Sequence, residues 1–243
     1  MFDREDFERT KRKNAHEQAD DQAFAGIVKD FVVRSDQFGY AYQWTWLGLP
    51  IIQMPSDIIC TQEIIWQCKP TVIIETGIAW GGSVALYASL LELLGRGTVV
   101  AVDTVLPESN IRAIKDLKCA KRVELIEGSS IDPSVIGRVK GFIKPDDKVM
   151  VLLDSNHTHE HVLAELRAYG PLVSKGQYLI VSDTIVEHIP TQTHRPRAWG
   201  PGNNPDTALR AYLDETDIFE ADEYINSKLG PTFSPGGYLV RKG

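Results

Sequence analysis

From Thr71 onward, short β-branched runs that close on acidic residues alternate with stretches of helical periodicity. This order constrains the fold more than any other feature of the chain. Strands separated by helices lie parallel, and a parallel sheet needs helices on both faces. The runs are Val72–Glu75, Val99–Asp103, Val123–Glu127, Val149–Asp154 and Tyr178–Asp183, with helices expected over 82–94, 109–117, 132–140 and 159–169. After a Pro-, Gly- and Asn-rich loop from Pro190 to Pro205, a helix near 206–215 leads to Ile218–Glu223 and Gly237–Arg241, two runs that suggest a terminal hairpin. The expected class is therefore α/β, a doubly wound, Rossmann-like, mostly parallel sheet. In such sheets ligands sit beyond the carboxyl ends of the strands, so the residues closing each run carry the functional reading.

A length of 243 residues suits one such domain. Residues 1–34 are polar with scattered apolar positions, as in surface helices, and Trp44, Trp46, Pro50 and Pro55 mark an irregular connection. A helix is expected from Ser56 to Cys68, with Ser56 as its cap. The segment 1–70 thus decorates an α/β core spanning 71–243. The net charge of −7, from 26 basic and 33 acidic residues, supplies no positive field for nucleic acid. Three cysteines, Cys60, Cys68 and Cys119, without C-x-x-C spacing suit reduced thiols. The charged N-terminus lacks the apolar segment of a secretory signal, and no apolar run approaches the ~18 residues of a membrane span. A cytoplasmic protein with no membrane partner is expected.

The turn after the first strand reads Glu75-Thr-Gly77-Ile-Ala79-Trp-Gly81-Gly82-Ser83 and opens a helix with apolar Val84, Tyr87, Leu91 and Leu94. Glycines let a ligand approach the main chain, and helix-start N–H groups bind anionic groups. A turn that merely packs strand on helix has the same composition. Asp103, closing the next strand, is placed to accept hydrogen bonds from ribose hydroxyls. The G-x-G-x-x-G spacing of dinucleotide sites is absent, and an acid precedes the first glycine. Glu75 would repel a pyrophosphate but attract a cofactor with a positive end.

Asp154 and Asp183 close the fourth and fifth runs, which neighbouring parallel strands bring to one rim. Two carboxylates with water and substrate oxygens suit a hard divalent ion such as Mg²⁺; capping of the following helices is the structural alternative. His157, His159 and His161 alternate, and a helix would splay them to different faces, which disfavours zinc. His157, nearest Asp154, is the candidate general base. His159 and His161 suit a helix start.

Together these residues resemble the cephalosporin hydroxylase-like family, which includes rhamnosyl O-methyltransferases. The resemblance rests on Trp46-Leu-Gly-Leu-Pro50-Ile-Ile-Gln53-Met-Pro55, Ile73-Ile-Glu75-Thr-Gly77 through Ser83, Leu153-Asp154-Ser-Asn-His157-Thr-His159, and Tyr178-Leu-Ile-Val-Ser-Asp183-Thr184. It implies a single methyltransferase-like domain over 1–243 that binds S-adenosylmethionine. Implied cofactor contacts are Glu75, Gly77, Gly81, Ser83, Asp103 and Ser129, with a divalent cation at Asp154 and Asp183. The implied reaction is Mg²⁺-assisted O-methylation of a saccharide or natural-product hydroxyl, with His157 as base. Related metal-dependent enzymes often carry an acid or amide beside the fifth-strand aspartate, where this chain has Ser182 and Thr184. That leaves the third metal ligand open.

The loop with His194, Arg195, Arg197 and Trp199 can cover a polyhydroxyl acceptor or serve as an ordinary connection. Tyr42, Trp44 and Trp46 can form a second wall, pack into the core or meet a second copy in a homo-oligomer. Other readings are a metal-independent methyltransferase, a catalytically silent S-adenosylmethionine-binding partner of another biosynthetic enzyme and, least favoured, a nicotinamide-dependent reductase.

Overall fold

A computed structural model describes residues 2–243. The chain opens with two helices, α1 (Arg4–Asp20) and α2 (Gln22–Asp36), each started by an aspartate whose carboxylate accepts from first-turn amides. A two-stranded ribbon, β1 (Thr45–Trp46) and β2 (Leu49–Pro50), leads to α3 (Pro55–Cys68). The expected Ser56 cap is corrected here. Pro55 occupies the first turn with Met54 before it, and the Ser56 hydroxyl donates to the Pro231 carbonyl instead.

The alternation then proceeds as β3 (Val72–Thr76), α4 (Gly82–Leu93), β4 (Thr98–Asp103), α5 (Glu108–Lys115), β5 (Val123–Glu127) and α6 (Pro133–Lys140). It continues through β6 (Val149–Leu153), α7 (His159–Tyr169), β7 (Tyr178–Val181), α8 (Pro205–Glu215), β8 (Phe219–Ala221), α9 (Glu223–Lys228) and β9 (Tyr238–Arg241). The seven-stranded sheet has the order β5-β4-β3-β6-β7-β9-β8. The five strands β3 to β7 run parallel, and β9 pairs antiparallel with both β7 and β8. The expected hairpin is thus an antiparallel pair, but α9 and a loop intervene and β9 slots between β7 and β8 rather than turning back directly.

Strand alternation divides the core between the two sheet faces. Ile73 packs with Ile64, Ile65, Val84 and Leu91 from α3 and α4, whereas Val72 and Ile74 join Val139, Val162, Leu166 and Leu209 from α6, α7 and α8. On α3, buried Asp57 accepts from the Phe233 amide and the Tyr238 hydroxyl, both at 2.9 Å, tying this helix to the last strand. Trp44 and Trp46 pack against the core within the chain. No helix among the described residues is long and apolar enough to cross a membrane.

Chain reversal starts at the order switch. β4 lies on one side of β3 and β6 on the other, which opens a crevice at their carboxyl ends. Gly77, just past β3, has φ +82°, and a Cβ there would lie 2.0 Å from the Asp154 carbonyl oxygen. Only glycine lets these two strand ends approach so closely. Gly77→Ala is therefore expected to lower the unfolding free energy by about 3 kcal/mol or more, measured by urea denaturation; a loss within experimental error would show that the strand ends can part freely.

Candidate functional site

Each acid predicted at the end of β6 and β7 lies just beyond its strand, where backbone pairing has ended and the side chain can turn into the crevice. Asp154, His157 and Asp183 converge there, with one potential ligand atom from each lying within 4.8 Å of the others. Asp183 adopts a left-handed backbone, φ +58°, uncommon for a non-glycine residue and a mark of local strain. His157 Nε2 lies 3.0 Å from Asp183 Oδ2, and the imidazole meets Trp199 edge-to-face at 4.8 Å. Burial pushes the Asp154 carboxyl well above the ordinary range, the charges of Asp183 and Glu75 push the same way, and the Gln53 amide opposes them. Two crowded carboxylates beside an imidazole fit a divalent cation, which would offset this repulsion.

The three residues line one wall of a cavity of about 230 Å³. Its floor is the glycine turn, through Gly77, Ile78, Ala79, Gly82 and Ser83. Ala79 has φ +44°, so the turn also bends at the alanine that lies between Gly77 and Gly81. Glu75 lies beneath this turn, fully buried, with neither carboxylate oxygen hydrogen-bonded. Burial raises its carboxyl to about 8 against the opposing pull of the Ser83 and Tyr87 hydroxyls. An unmatched acid below a ligand-sized cavity fits a cofactor carrying positive charge.

The remaining predicted residues are placed differently. Asp103 Oδ2 accepts from the Ile78 and Ala79 amides at 2.9 and 3.1 Å, so one carboxylate oxygen braces the turn, while Oδ1 makes only contacts of 3.4 Å. Gly81 starts α4 at φ +85° and packs toward Ile114 and Leu49, outside the cavity lining. Ser129 lies in the turn after β5 and is likewise outside that lining. The three histidines splay as expected. His159 Nδ1 meets Thr207 Oγ1 at 2.9 Å, and His161 Nε2 reaches Ser130 Oγ at 3.0 Å and Ser155 Oγ at 3.2 Å. Thr184 is not available as a metal ligand, because its buried hydroxyl donates to the Pro235 carbonyl at 2.8 Å.

Three contributions had no strand-end signal to reveal them. Gln53, from the loop before α3, faces the same cavity as Asp154 and Asp183. Ser155 donates to the fully buried Glu165 at 2.7 Å, and with His161 this steadies the loop that carries Asp154 and His157. Most remote is Asp36, at the end of α2, whose nearly buried carboxylate meets Arg195 at 2.7 Å, Gln192 at 2.7 Å and His194 at 2.9 Å. This holds the 190–199 loop over the cavity, where Gln192, Arg195, Arg197 and Trp199 form the outer wall with Tyr42.

A family model described as Rhamnosyl O-methyltransferase/CmcI matches residues 38–242. The rhamnosyl O-methyltransferase of Mycobacterium tuberculosis (strain ATCC 25618 / H37Rv) is 32% identical over 200 residues, covering 81% of this chain and 78% of that protein. The protein of that name from Mycobacterium leprae is 31% identical, covering 82% and 83%. Among solved structures, an Mg- and SAM-bound CmcI superposes with a TM-score of 0.59 at 17% identity, covering 83% of this chain and 78% of that one. At that identity the likeness establishes the fold.

Two outcomes follow from these contacts. Because the Glu75 carboxyl is raised in the folded state, the folded protein binds more protons than the unfolded chain between the ordinary glutamate range and about pH 8. The ligand-free protein should therefore lose stability as pH rises through that window, and Glu75→Gln should flatten the slope; thermal unfolding from roughly pH 5 to pH 9 checks it, and equal slopes would reject it. Asp36→Asn should release the outer loop, seen as several-fold faster tryptic cleavage after Arg197.

Proposed function

This chain belongs to the rhamnosyl O-methyltransferase/CmcI family, and from that premise we propose that it methylates a hydroxyl of a saccharide or other natural-product acceptor, using S-adenosylmethionine and a divalent cation such as Mg²⁺. The cofactor supplies an electrophilic methyl group, and the cation, when bound, makes the acceptor hydroxyl more acidic and fixes its oxygen. The observation that carries the reading is the convergence of Asp154, His157 and Asp183 on the cavity floored by the glycine turn.

Glu75 provides negative charge for the cofactor's positive end, and Ser83 offers a hydroxyl at the start of α4. Gly77 and Gly81 give the turn its left-handed bends. Asp103 keeps Oδ1 for a ribose hydroxyl while Oδ2 braces the turn. Ser129, beyond β5, extends the same rim. Asp154 and Asp183 would hold the cation, and Asp183 Oδ2 orients His157 through the 3.0 Å contact. His157 accepts the acceptor's hydroxyl proton at Nδ1, the ring nitrogen not engaged by Asp183, and Asp183 stabilises the imidazolium that results. Trp199 packs on the imidazole, and the Asp36-held loop limits water at the reacting atoms.

Calorimetric titration with S-adenosylmethionine, with and without Mg²⁺ and with NADH as control, tests the cofactor class. Saturable binding of the first alone is expected, and no binding would overturn the proposal. Asp154→Ala should abolish metal-dependent methyl transfer while sparing cofactor affinity. His157→Ala should lower kcat by about 10²- to 10⁴-fold with cofactor affinity unchanged; undiminished turnover would remove that residue from its role.

A further inference from the structure

The charges around the cavity do not balance on its outer side. The acidic and basic residues that line it are Asp154, His157 and Asp183 at the inner wall and Arg195 and Arg197 at the outer one. The inner carboxylates have a partner in the proposed cation. Arg195 is matched by Asp36 through the 2.7 Å ion pair, and its guanidinium also meets Tyr42 and Gln192. Arg197 has no ion-pair or hydrogen-bond partner among the described residues, although its guanidinium is steadied 5.5 Å from the Trp199 ring. One further donor is unmatched, the Arg195 Nε, which is shielded from solvent and has no acceptor.

Trp199 links this unmatched cation to the chemistry. Its ring lies 4.8 Å from the His157 imidazole and 5.5 Å from the Arg197 guanidinium carbon, so the candidate base and the unmatched cation both adjoin one indole in the same cavity. Guanidinium groups pair with planar or tetrahedral oxyanions through parallel N–H donors, and the pairing strengthens where an aromatic wall excludes water.

We propose that Arg197 is a specificity-determining residue that receives an oxyanion, a carboxylate or phosphate, on the acceptor whose hydroxyl is methylated. This rests on the methyltransferase reading above, which fixes where the reacting hydroxyl lies. The held loop makes the arrangement selective: Asp36 neutralises Arg195 and anchors its neighbours, leaving Arg197 as the cation available to a ligand. Arg197 is exposed on the loop, so a neutral acceptor would leave its guanidinium in water, whereas an anionic one would pair with it and complete the outer wall.

The test uses two matched pairs as probes, glucuronate against its methyl ester and glucose 6-phosphate against glucose. Each is titrated calorimetrically into the full-length protein with S-adenosylhomocysteine and Mg²⁺ present. The expected result is at least tenfold tighter binding of one anionic member than of its neutral counterpart, with the favoured pair identifying carboxylate or phosphate. Arg197→Gln should erase that preference, and Arg197→Lys should retain part of it. Equal binding within both pairs, no binding by either anion, or a preference that survives R197Q would overturn the proposal. If the variants fail to fold, the comparison within each pair on the unaltered protein still decides. Methyl transfer is followed on the same probes: anion preference without any methylated product would count against the methyltransferase reading and leave the oxyanion site standing, whereas methylation without preference would do the reverse.

Discussion

Three carboxylates, Glu75, Asp154 and Asp183, are brought to the carboxyl ends of adjacent parallel strands, and their mutual repulsion is the constraint on which the site is built. Desolvation of the charged form is the largest cause that raises the Glu75 and Asp154 carboxyls, and at Asp154 the charges of Asp183 and Glu75 add to it. A fold has little reason to bury such a cluster for stability, since apolar residues at the same strand ends would cost nothing comparable. The cluster makes sense as a receptor for positive charge, with a metal ion at one end and a cationic cofactor at the other.

The geometry that concentrates these acids is the close approach of β3 and β6. The absence of a side chain at Gly77 lets the backbone after β3 press against Asp154, and Asp103 pins the rest of the turn through the Ile78 and Ala79 amides. Strain at Ala79 and Asp183 is held in place by these contacts. Beneath the inner wall, Ser155, His161 and the buried Glu165 connect the loop after β6 to its own helix, and His161 reaches across to Ser130 after β5. The loop carrying the candidate metal and base residues is thereby tied to its own helix and to the turn after β5.

Much of this was legible in the residue order because parallel α/β architecture writes itself into sequence as an alternation of two periodicities. The five parallel strands fall within a residue or two of where the β-branched runs place them, and the strand-end rule singles out Asp154, His157 and Asp183. The misreadings have local causes. Ser56 has the right chemistry for a cap, but Pro55 takes the first turn and a distant carbonyl claims the hydroxyl. The last two strands pair as expected, yet their spatial order depends on contacts with β7 that no local pattern encodes. Asp36 was invisible for a stronger reason: its partner Arg195 is 159 residues away, and an acid at the end of a polar surface helix has many ordinary uses.

That long-range contact changes the role of the N-terminal segment. The family match begins at residue 38, just beyond α2, whereas the carboxylate that anchors the outer loop lies within α2 at Asp36. The inner wall is fixed by the sheet, whose strand ends cannot move without breaking the core. The outer wall is fixed by an ion-pair cluster between a surface helix and a loop, and such a cluster can be altered without disturbing the sheet. On the proposed reading, chemistry and acceptor choice fall to different parts of the molecule: the rigid part would set where a methyl group meets a hydroxyl, and the tethered loop would set which molecule brings that hydroxyl.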